Sequence, residues 1–578
     1  MSSVVHAARA RRRRGHYTHA AALFFACAAA GCSGRAPDAG PWLAALTAQY
    51  PSPIASSPDG AVVVWKSVAP DDVTLVFTRA RDGRELQRER LPDGSVGPVA
   101  FSPDGEHAAL FVDRAGRNRW RLVVVTPRAG QRREIALPPT LTPFVSWSPD
   151  GTRLAYFESS RGVAARRLMV VDDVLGRATA RPLVDGVDPR AELAWSPDGR
   201  TLATVRLERR DAITLVDVAT GAARAMVVAP AAEVRQAAWS ADGRTLAAVA
   251  RAAGDEDYGL FVVGSDGVAR RRVTPPGDVV DVAAAPAGGW LYTVARGGRS
   301  RVHRDDGGAL GADDGSARLA AIARDGVWLL HAGERGSPSL VRVGSDGSPA
   351  VVIAASRAQP ATAAPLALTL TSADGVHVPA YLWRAPLVPG RARAAVVRVH
   401  GGPRLTTTRA WDAAIAALNR AGIDVLAVDY RGSTGHGARF EHAPLDVDAA
   451  ARDVLAACDF LVTDGVAPAR IALFGISFGA NVALAAAARA PDAAGALVLV
   501  STLPRLGPRH ATRLPARLAL FHGDADEIAP PDDARRMLAT VAGARAARAW
   551  QLLPREGHIF HRARSWAAVY AALAEAVR

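Results

Sequence analysis

The chain has 578 residues, and an apolar fraction of 49% is ample for buried cores. This length exceeds one ordinary domain core, so we expect two domains. The formal net charge of +14 would suit a nucleic-acid partner, but Lys66 is the only lysine and the arginines are scattered among Asp and Glu residues. We interpret the charge as a compositional preference for arginine and predict no nucleic-acid partner, with a polyanion-binding role as the alternative.

Residues 1–32 have the pattern of an export signal. A basic stretch that includes residues 11–14 precedes an apolar stretch at 20–30, which is too short to span a bilayer as an ordinary helix. The ending Ala29-Ala30-Gly31-Cys32 resembles a bacterial lipobox. We therefore predict a lipid anchor at Cys32 and a location in the bacterial cell envelope, periplasmic or membrane-anchored. An ordinary cleaved signal peptide is the alternative, and residues 33–50 are predicted to be a linker.

A four-residue motif recurs in the first half of the chain at intervals of roughly 45 residues, which is a propeller-blade period. The Ser-Pro-Asp-Gly copies, the last with Ala for Pro, begin at Ser57, Ser102, Ser148, Ser196 and Ser240. Each suits a hairpin turn, because Pro fixes one φ and Asp-Gly tolerates a positive φ. Degenerate copies at Pro286 and Arg324 bring the number to seven. We predict a seven-bladed β-propeller over residues 51–365, with another all-β array as the alternative.

From residue 366 onward, short apolar strands alternate with helical stretches. Strands are predicted at 366–370, 376–383, 395–399, 425–428, 471–474, 496–500, 518–521 and 550–553. The pattern predicts a doubly wound α/β domain over residues 366–578, which would bind ligands at the carboxyl ends of its strands.

The pentapeptide Gly475-Ile476-Ser477-Phe478-Gly479 lies between the predicted strand 471–474 and the alanine-rich run 480–488. A strand, a sharp turn and a helix are the pattern of a nucleophile elbow, in which small residues let strand and helix pass closely. Ser477 is therefore the candidate nucleophile. The pentapeptide alone is a weak signal, so its partners must support it.

The partners of such a serine follow it in the order acid, then histidine, just past strand ends. His558 follows the last predicted strand and would act as the general base. Asp524, Asp526 and Glu527 all follow the strand that ends at residue 521. The spacing leaves the choice among these three carboxylates open.

Acyl transfer also needs donors aimed at the developing oxyanion. The backbone N–H of Phe478 is one candidate. The other is the glycine-rich turn His400-Gly401-Gly402-Pro403 after the strand 395–399. The alternative for the His400 side chain is packing within the turn.

Together these segments resemble the prolyl oligopeptidase family of serine peptidases, most closely its acylaminoacyl-peptidase and dipeptidyl-peptidase branches. The matching segments begin at His400, Asp429, Gly475, His522 and Glu556. The resemblance implies a β-propeller followed by an α/β-hydrolase domain. It also implies cleavage of short or unstructured peptides, N-acylated or dipeptidyl substrates among them, with the propeller limiting access.

By position, the resemblance implies that Ser477 is the nucleophile, Asp526 the acid and His558 the base. It implies an oxyanion region made by Phe478 and by the turn that starts with His400 and Gly401.

The chain departs from the family pattern in three places. The segment 502–516 is shorter than usual, the Gly-and-Trp stretch after the Arg-Gly-Ser motif is replaced by residues 440–447, and Ala480 replaces a glycine. In the family, the segment that corresponds to 502–516 normally helps to shape the substrate pocket, so its short length concerns substrate specificity. No distinct acidic pair marks the propeller as a binder of free N-termini.

Two other functions stay open from the sequence. A carboxylic ester hydrolase would use the same triad, and a non-catalytic protein would bind a partner through the propeller. We predict no metal and no organic cofactor, because the histidines are dispersed and no His or Cys pair has ligand spacing.

Overall fold

The structure is a computed structural model. It describes residues 38–578 apart from 48–51, 93, 115–116, 118, 139, 141–142, 160–165, 189–190, 265, 324–325, 345–346, 349–350, 356–361, 445 and 505–512. The export signal and lipid anchor predicted at 1–32 lie outside the described residues. No helix within the described ranges is both long and apolar enough to cross a membrane.

The first half forms seven consecutive units of four antiparallel strands, which are the predicted blades. Blade 1 consists of β1 (Ser52–Ser56), β2 (Val62–Val68), β3 (Asp72–Arg79) and β4 (Glu85–Pro92), and blade 2 of β5 (Gly94–Phe101), β6 (Ala108–Arg114), β7 (Trp120–Thr126) and β8 (Gln131–Glu134). Blade 3 consists of β9 (Val145–Trp147), β10 (Leu154–Glu158), β11 (Arg166–Asp172) and β12 (Thr179–Val187), and blade 4 of β13 (Ala194–Trp195), β14 (Thr201–Arg206), β15 (Arg209–Asp217) and β16 (Ala223–Val227). Blade 5 consists of β17 (Glu233–Trp239), β18 (Leu246–Arg251), β19 (Gly259–Val263) and β20 (Ala269–Val273). Blade 6 consists of β21 (Asp278–Ala284), β22 (Trp290–Arg296), β23 (Arg299–Arg304) and β24 (Ala309–Leu310), and blade 7 of β25 (Ser316–Ala323), β26 (Gly326–Ala332), β27 (Ser339–Gly344) and β28 (Val351–Ala355).

The repeated motif forms the turn between the first two strands of each of the first five blades. In blade 1 the Ser57 hydroxyl donates to Asp59 Oδ1 at 2.5 Å and accepts the Val62 N–H at 2.9 Å. The glycines of all five copies have φ between +68° and +74°. An L side chain rarely adopts this conformation, so the Gly of each motif is required by the backbone.

Blades 7 and 1 close the ring through side chains. Val63 of blade 1 is buried in one cluster with Trp328, Leu330 and Leu340 of blade 7. A Cβ added to Gly60 would lie 2.0 Å from the Trp328 ring. Trp328 of blade 7 thus packs against the blade 1 turn at Gly60, where no residue with a Cβ would fit.

The second half forms one eight-stranded sheet. Its strands are β29 (Leu366–Thr371), β30 (His377–Trp383), β31 (Ala394–Val399), β32 (Ile423–Val428), β33 (Ile471–Ile476), β34 (Ala496–Val500), β35 (Arg517–Gly523) and β36 (Trp550–Leu553). The order is β29-β30-β32-β31-β33-β34-β35-β36, antiparallel over the first three strands and parallel from β32 onward. All eight predicted strands are present, and the predicted fold class, a seven-bladed propeller followed by an α/β-hydrolase domain, is confirmed.

Helices cover both faces of this sheet. They are α2 (Ala413–Arg420), α3 (Ala438–Glu441), α4 (Val447–Thr463), η1 (Pro468–Arg470), α5 (Phe478–Arg489), α6 (Pro531–Ala542), α7 (Ala544–Ala549) and α8 (Ala563–Ala576). Alternate residues of β31 face opposite cores: Ala395, Val397 and Val399 pack with α4 and α5, while Ala394 and Val396 pack with α2 and α8. The sheet is therefore buried on both sides, which explains its nearly continuous apolar strands.

The segment predicted to be a linker, 33–50, differs from that prediction in its described part. Residues 40–47 form helix α1 (Gly40–Thr47), and Trp42 stacks on Tyr570 of α8 with 6.2 Å between the ring centroids. Trp42 and Leu46 are buried in the same core as α2 and α8. The reason is hydrophobic: these two large apolar side chains are removed from water by docking on the hydrolase domain.

We predict that Gly60→Ala destabilises the propeller more than Gly83→Ala does. Both glycines have a positive φ, at +68° and +70°, but only Gly60 faces a neighbour, since nothing lies within 4 Å of a Cβ at Gly83. The shared backbone strain costs about 1–2 kcal/mol. Overpacking against Trp328 adds about 1–3 kcal/mol. Urea unfolding of both variants measures the difference, and equal losses would show that the Trp328 contact does not close the ring.

Candidate active site

Ser477 occupies a sharp turn between β33 and α5. Its φ is 55° and its ψ is −122°, so the backbone is strained at this residue. A Cβ on Gly475 would lie 2.3 Å from the Gly479 carbonyl oxygen, and a Cβ on Gly479 would lie 2.2 Å from the His400 carbonyl oxygen. Both glycines of the pentapeptide are thus required by the close passage of strand and helix.

Three of the residues predicted from the sequence meet at this turn. The Ser477 hydroxyl oxygen lies 2.8 Å from His558 Nε2, and His558 Nδ1 lies 2.9 Å from Asp526 Oδ2. The other two candidate carboxylates have no hydrogen bond to His558 among the described residues. The Asp524 backbone N–H donates to the Leu553 carbonyl at 3.0 Å. Glu527 lies 3.1 Å from an Arg119 nitrogen of the propeller.

Asp526 is held by several donors. The backbone N–H groups of Ile528 and Ala529 donate to its Oδ1 at 2.9 and 2.8 Å, and His522 Nε2 lies 3.1 Å from its Oδ2. Burial acts to raise the pKa of Asp526, but the hydrogen bonds from His522 and His558 outweigh it and lower the pKa to about 2. The carboxylate is therefore ionised at neutral pH.

His522 had no assigned role from the sequence. Its ring stacks on Trp550, with 5.2 Å between centroids, and is buried beside Asp526. The available signal was its position at the end of the strand that precedes the acid.

The glycine-rich turn contacts Ser477 through its backbone. A Cβ on Gly401 would lie 3.4 Å from the Ser477 Cβ. The His400 side chain packs within the turn instead: its Nε2 lies 3.0 Å from the Ser433 hydroxyl and its ring stacks on Tyr430 at 4.5 Å. This arrangement matches the packing alternative for His400. The groups of this region close to Ser477 are thus the backbone of Gly401 and of Phe478, the first residue of α5.

A cluster around Glu441 connects the propeller to this turn. Glu441 is buried and lies 2.5 Å from Arg235 and 3.1 Å from Arg251, both on blade 5, and 3.7 Å from Arg404, which follows the turn. The two blade 5 guanidiniums also lie over the Tyr258 ring, at 3.8 and 4.4 Å from its centroid. Glu441 belongs to the segment 440–447, which the sequence marked only as a departure from the family pattern.

Two adjoining cavities open beside Ser477. The first, the Ser477 pocket, has a volume of about 420 Å³ and is lined by Ser477 and the turn at 400–402. The second, the interdomain cavity, has a volume of about 750 Å³ and is lined by residues of both domains. The two share part of their walls, formed by Arg398, Trp411, Asp412, Ile476 and Ile559.

Comparison with known sequences finds matches to part of the chain. A family model described as serine aminopeptidase, S33, matches residues 390–512. An uncharacterized protein of Mycobacterium tuberculosis is 34% identical over 199 residues, and the match covers 30% of this chain and 66% of that protein, just under two thirds of its length. A protein of Caenorhabditis elegans named dipeptidyl peptidase family member 6 is 33% identical over 132 residues, covering 22% of this chain and 17% of that protein.

Comparison with solved structures extends over both domains. A structure from a study of two prolyl endopeptidases has a TM-score of 0.77 at 15% identity, covering 94% of this chain and 92% of that chain. A puromycin-hydrolyzing peptidase of Mycobacterium tuberculosis has a TM-score of 0.72 at 20% identity, covering 92% of this chain and 94% of that chain. The chain therefore has the two-domain fold of the prolyl oligopeptidase family of serine peptidases, and residues 390–512 of its hydrolase domain match the serine aminopeptidase model.

Proposed function

We propose that the protein is an exported serine peptidase that hydrolyses short or unstructured peptides through an acyl-enzyme. The observation that carries this proposal is the chain of hydrogen bonds from Ser477 through His558 to Asp526, at 2.8 and 2.9 Å. A nucleophile, a base and an orienting carboxylate in this order are the arrangement that acyl transfer requires.

The proposed reaction uses each of these groups in turn. His558 Nε2 takes the proton from the Ser477 hydroxyl as the oxygen attacks the scissile carbonyl. Asp526, ionised at neutral pH, accepts from His558 Nδ1 and stabilises the imidazolium that forms. His558 then gives the proton to the leaving amine, and a water molecule activated by the same histidine hydrolyses the acyl-enzyme.

The developing oxyanion needs two donors that are already in position. We assign them to the backbone N–H groups of Phe478 and Gly401, because both residues adjoin the Ser477 side chain. The His400 side chain supports them indirectly through its contact with Ser433.

The proposed limit on substrate size follows from the contacts between the domains. Arg119 of blade 2 pairs with Glu527, next to the acid of the triad, and the Glu441 cluster pairs blade 5 with the oxyanion turn. A substrate must therefore reach Ser477 between the propeller and the hydrolase domain. Several neighbours in fold are named as prolyl endopeptidase, puromycin-hydrolyzing peptidase and acylaminoacyl peptidase, which supports small peptide or aminoacyl substrates.

A carboxylic ester hydrolase is the second candidate. The short segment 502–516 favours it, since less of the chain is available there to shape a peptide pocket. Both candidates use the same three side chains, so substrates distinguish them.

We predict that a fluorophosphonate probe labels the mature protein and that Ser477→Ala abolishes the labelling. The wild-type protein should cleave aminoacyl or N-acylaminoacyl anilides, assayed beside short acyl esters. Turnover of esters alone would favour the ester hydrolase. Absence of labelling in the folded wild-type protein would contradict both candidates and leave the propeller as the functional part.

We predict that Asp526→Asn lowers kcat by roughly a thousand- to ten-thousand-fold, because an amide can neither hold the required tautomer nor stabilise the imidazolium. Glu527→Gln is the matched control, since it makes the same change one residue away and affects only the pair with Arg119. Steady-state kinetics on the best anilide measures both variants. Similar losses in the two would contradict the assignment of Asp526 as the acid.

We further propose that Cys32 is lipidated after export, on the basis of the lipobox-like ending of the signal sequence. Metabolic labelling with an alkyne fatty acid in a bacterial host should mark the protein and place it in the membrane fraction. Cys32→Ser should lose both the label and the membrane association. Release of an unlabelled wild-type protein into the soluble envelope fraction would favour an ordinary cleaved signal peptide instead.

A further inference from the structure

Lys66 is the only lysine among the 70 basic Lys and Arg residues of the chain. It lies on β2 of blade 1 and lines the interdomain cavity. Within the described residues its ammonium has no hydrogen-bond or ion-pair partner. Burial lowers its pKa, with no neighbouring charge acting against the shift. Lys66 is half-buried, and a cation that is partly removed from water without a counter-charge nearby is destabilising unless a ligand pairs with it.

The carboxylates of the same cavity already have partners. Asp113 accepts the Arg119 backbone N–H at 3.2 Å, and Asp412 accepts the Ala414 and Ile415 N–H groups at the start of α2 and lies 3.3 Å from Arg398 Nη1. Among the described residues, neither carboxylate forms an ion pair with Lys66. An anion bound beside Lys66 would therefore be its first close counter-charge.

The cavity lies beside Ser477 and His558. Its wall includes Ile476 and Ile559, which are the chain neighbours of Ser477 and His558. Arg398 and Trp411 line both this cavity and the Ser477 pocket. A volume of about 750 Å³ is within the usual range for a small-molecule or peptide site.

The remaining walls are mostly apolar. They include Val73, Val96, Trp120, Phe560 and Trp566. Apolar walls with few polar groups are typical of ligand sites, in which the polar groups fix orientation. Lys66 and the guanidinium of Arg398 are the cationic groups among the residues that line this cavity.

We propose that Lys66 binds a carboxylate of the peptide substrate in the interdomain cavity, so that the enzyme favours short peptides with a free C-terminal carboxylate or an acidic side chain in the part that this cavity holds. The proposal rests on the proposed peptidase function and specifies its substrates. A compact ammonium on a flexible stem can follow a carboxylate within the cavity, whereas most cations of this chain are planar guanidiniums.

The first test compares matched peptides on the wild-type protein and on Lys66→Met. A library of six-residue peptides is used in free-acid and C-terminal amide forms, and with Glu or Gln at each position. We expect the wild-type protein to favour one acidic form, and Lys66→Met to lower the ratio of kcat/KM for the acid over that for its neutral partner by about 10- to 100-fold. If the wild-type protein has a lower kcat/KM for the amide than for the free acid, the group bound is the C-terminal carboxylate. If it has a lower kcat/KM for the Gln peptide than for the Glu peptide, the group bound is an acidic side chain.

The control variants separate charge from stability. Arg81→Met removes one cation from blade 1 at a position whose side chain is 75% exposed, and it should leave the ratio unchanged. Lys66→Arg should recover part of the ratio. An unchanged acid-to-neutral ratio in Lys66→Met, with fluorophosphonate labelling of Ser477 intact, would overturn the proposal while leaving the peptidase function in place.

A binding test keeps the proposal testable if no library peptide is hydrolysed. Reductive methylation with ¹³C-formaldehyde labels one side chain in this protein, Lys66, together with the N-terminal amine if that is free, and Lys66→Arg assigns the signal. In the Ser477→Ala protein, N-acetyl-trialanine as the free acid or N-acetyl-glutamate amide should shift the Lys66 signal and raise its pKa, and N-acetyl-trialanine amide should not. Equal shifts, or no shift, with all three probes would overturn the proposal.

Discussion

The backbone turn at Ser477 is the constraint on which the active site depends. With φ at 55°, helix α5 leaves the sheet so close to the neighbouring strand end that Gly479 touches the His400 carbonyl. Ser477 and the glycine-rich turn at 400–402 are thus in contact through their backbones, and displacement of one displaces the other. Such a conformation costs on the order of 1–3 kcal/mol and persists only where its surroundings determine it. The cores on both faces of the sheet provide those surroundings.

The loops that carry Asp526 and His558 are held by buried polar groups. Asp526 accepts two backbone N–H groups and contacts two histidines. Glu556, two residues before His558, is buried and accepts the His561 N–H at 2.9 Å and the hydroxyl of Ser565. The two loops are also joined by their backbones, since the N–H groups of Asp524 and Ala525 donate to the Leu553 and Glu556 carbonyls at 3.0 and 2.9 Å. The Ser477, His558 and Asp526 geometry therefore does not rely on their mutual hydrogen bonds alone.

Much of this architecture could be predicted because it follows from local chemistry. The Ser-Pro-Asp-Gly turns, the apolar strands and the order of serine, carboxylate and histidine are visible in the sequence, whereas the choice of Asp526 among three carboxylates came from the family resemblance. What could not be predicted depends on which distant residues meet. Helix α1 looked like a linker because its composition is rich in small residues, yet Trp42 has a partner in Tyr570, more than 500 residues away. Glu441 belonged to a segment without a motif, since its role requires arginines of blade 5.

Substrate choice also depends on residues that are distant in the sequence and meet only in the fold. The hydrolase domain supplies Ser477 and His558, but the cavity beside them is completed by Lys66, Asp113 and Trp120 of the propeller. The short segment 502–516 belongs to the hydrolase domain, whereas Lys66 lies on blade 1 of the propeller. Under the proposed role of Lys66, the propeller would select substrates by charge as well as by size. The contacts of Glu527 and Glu441 with the propeller join the two domains close to Ser477.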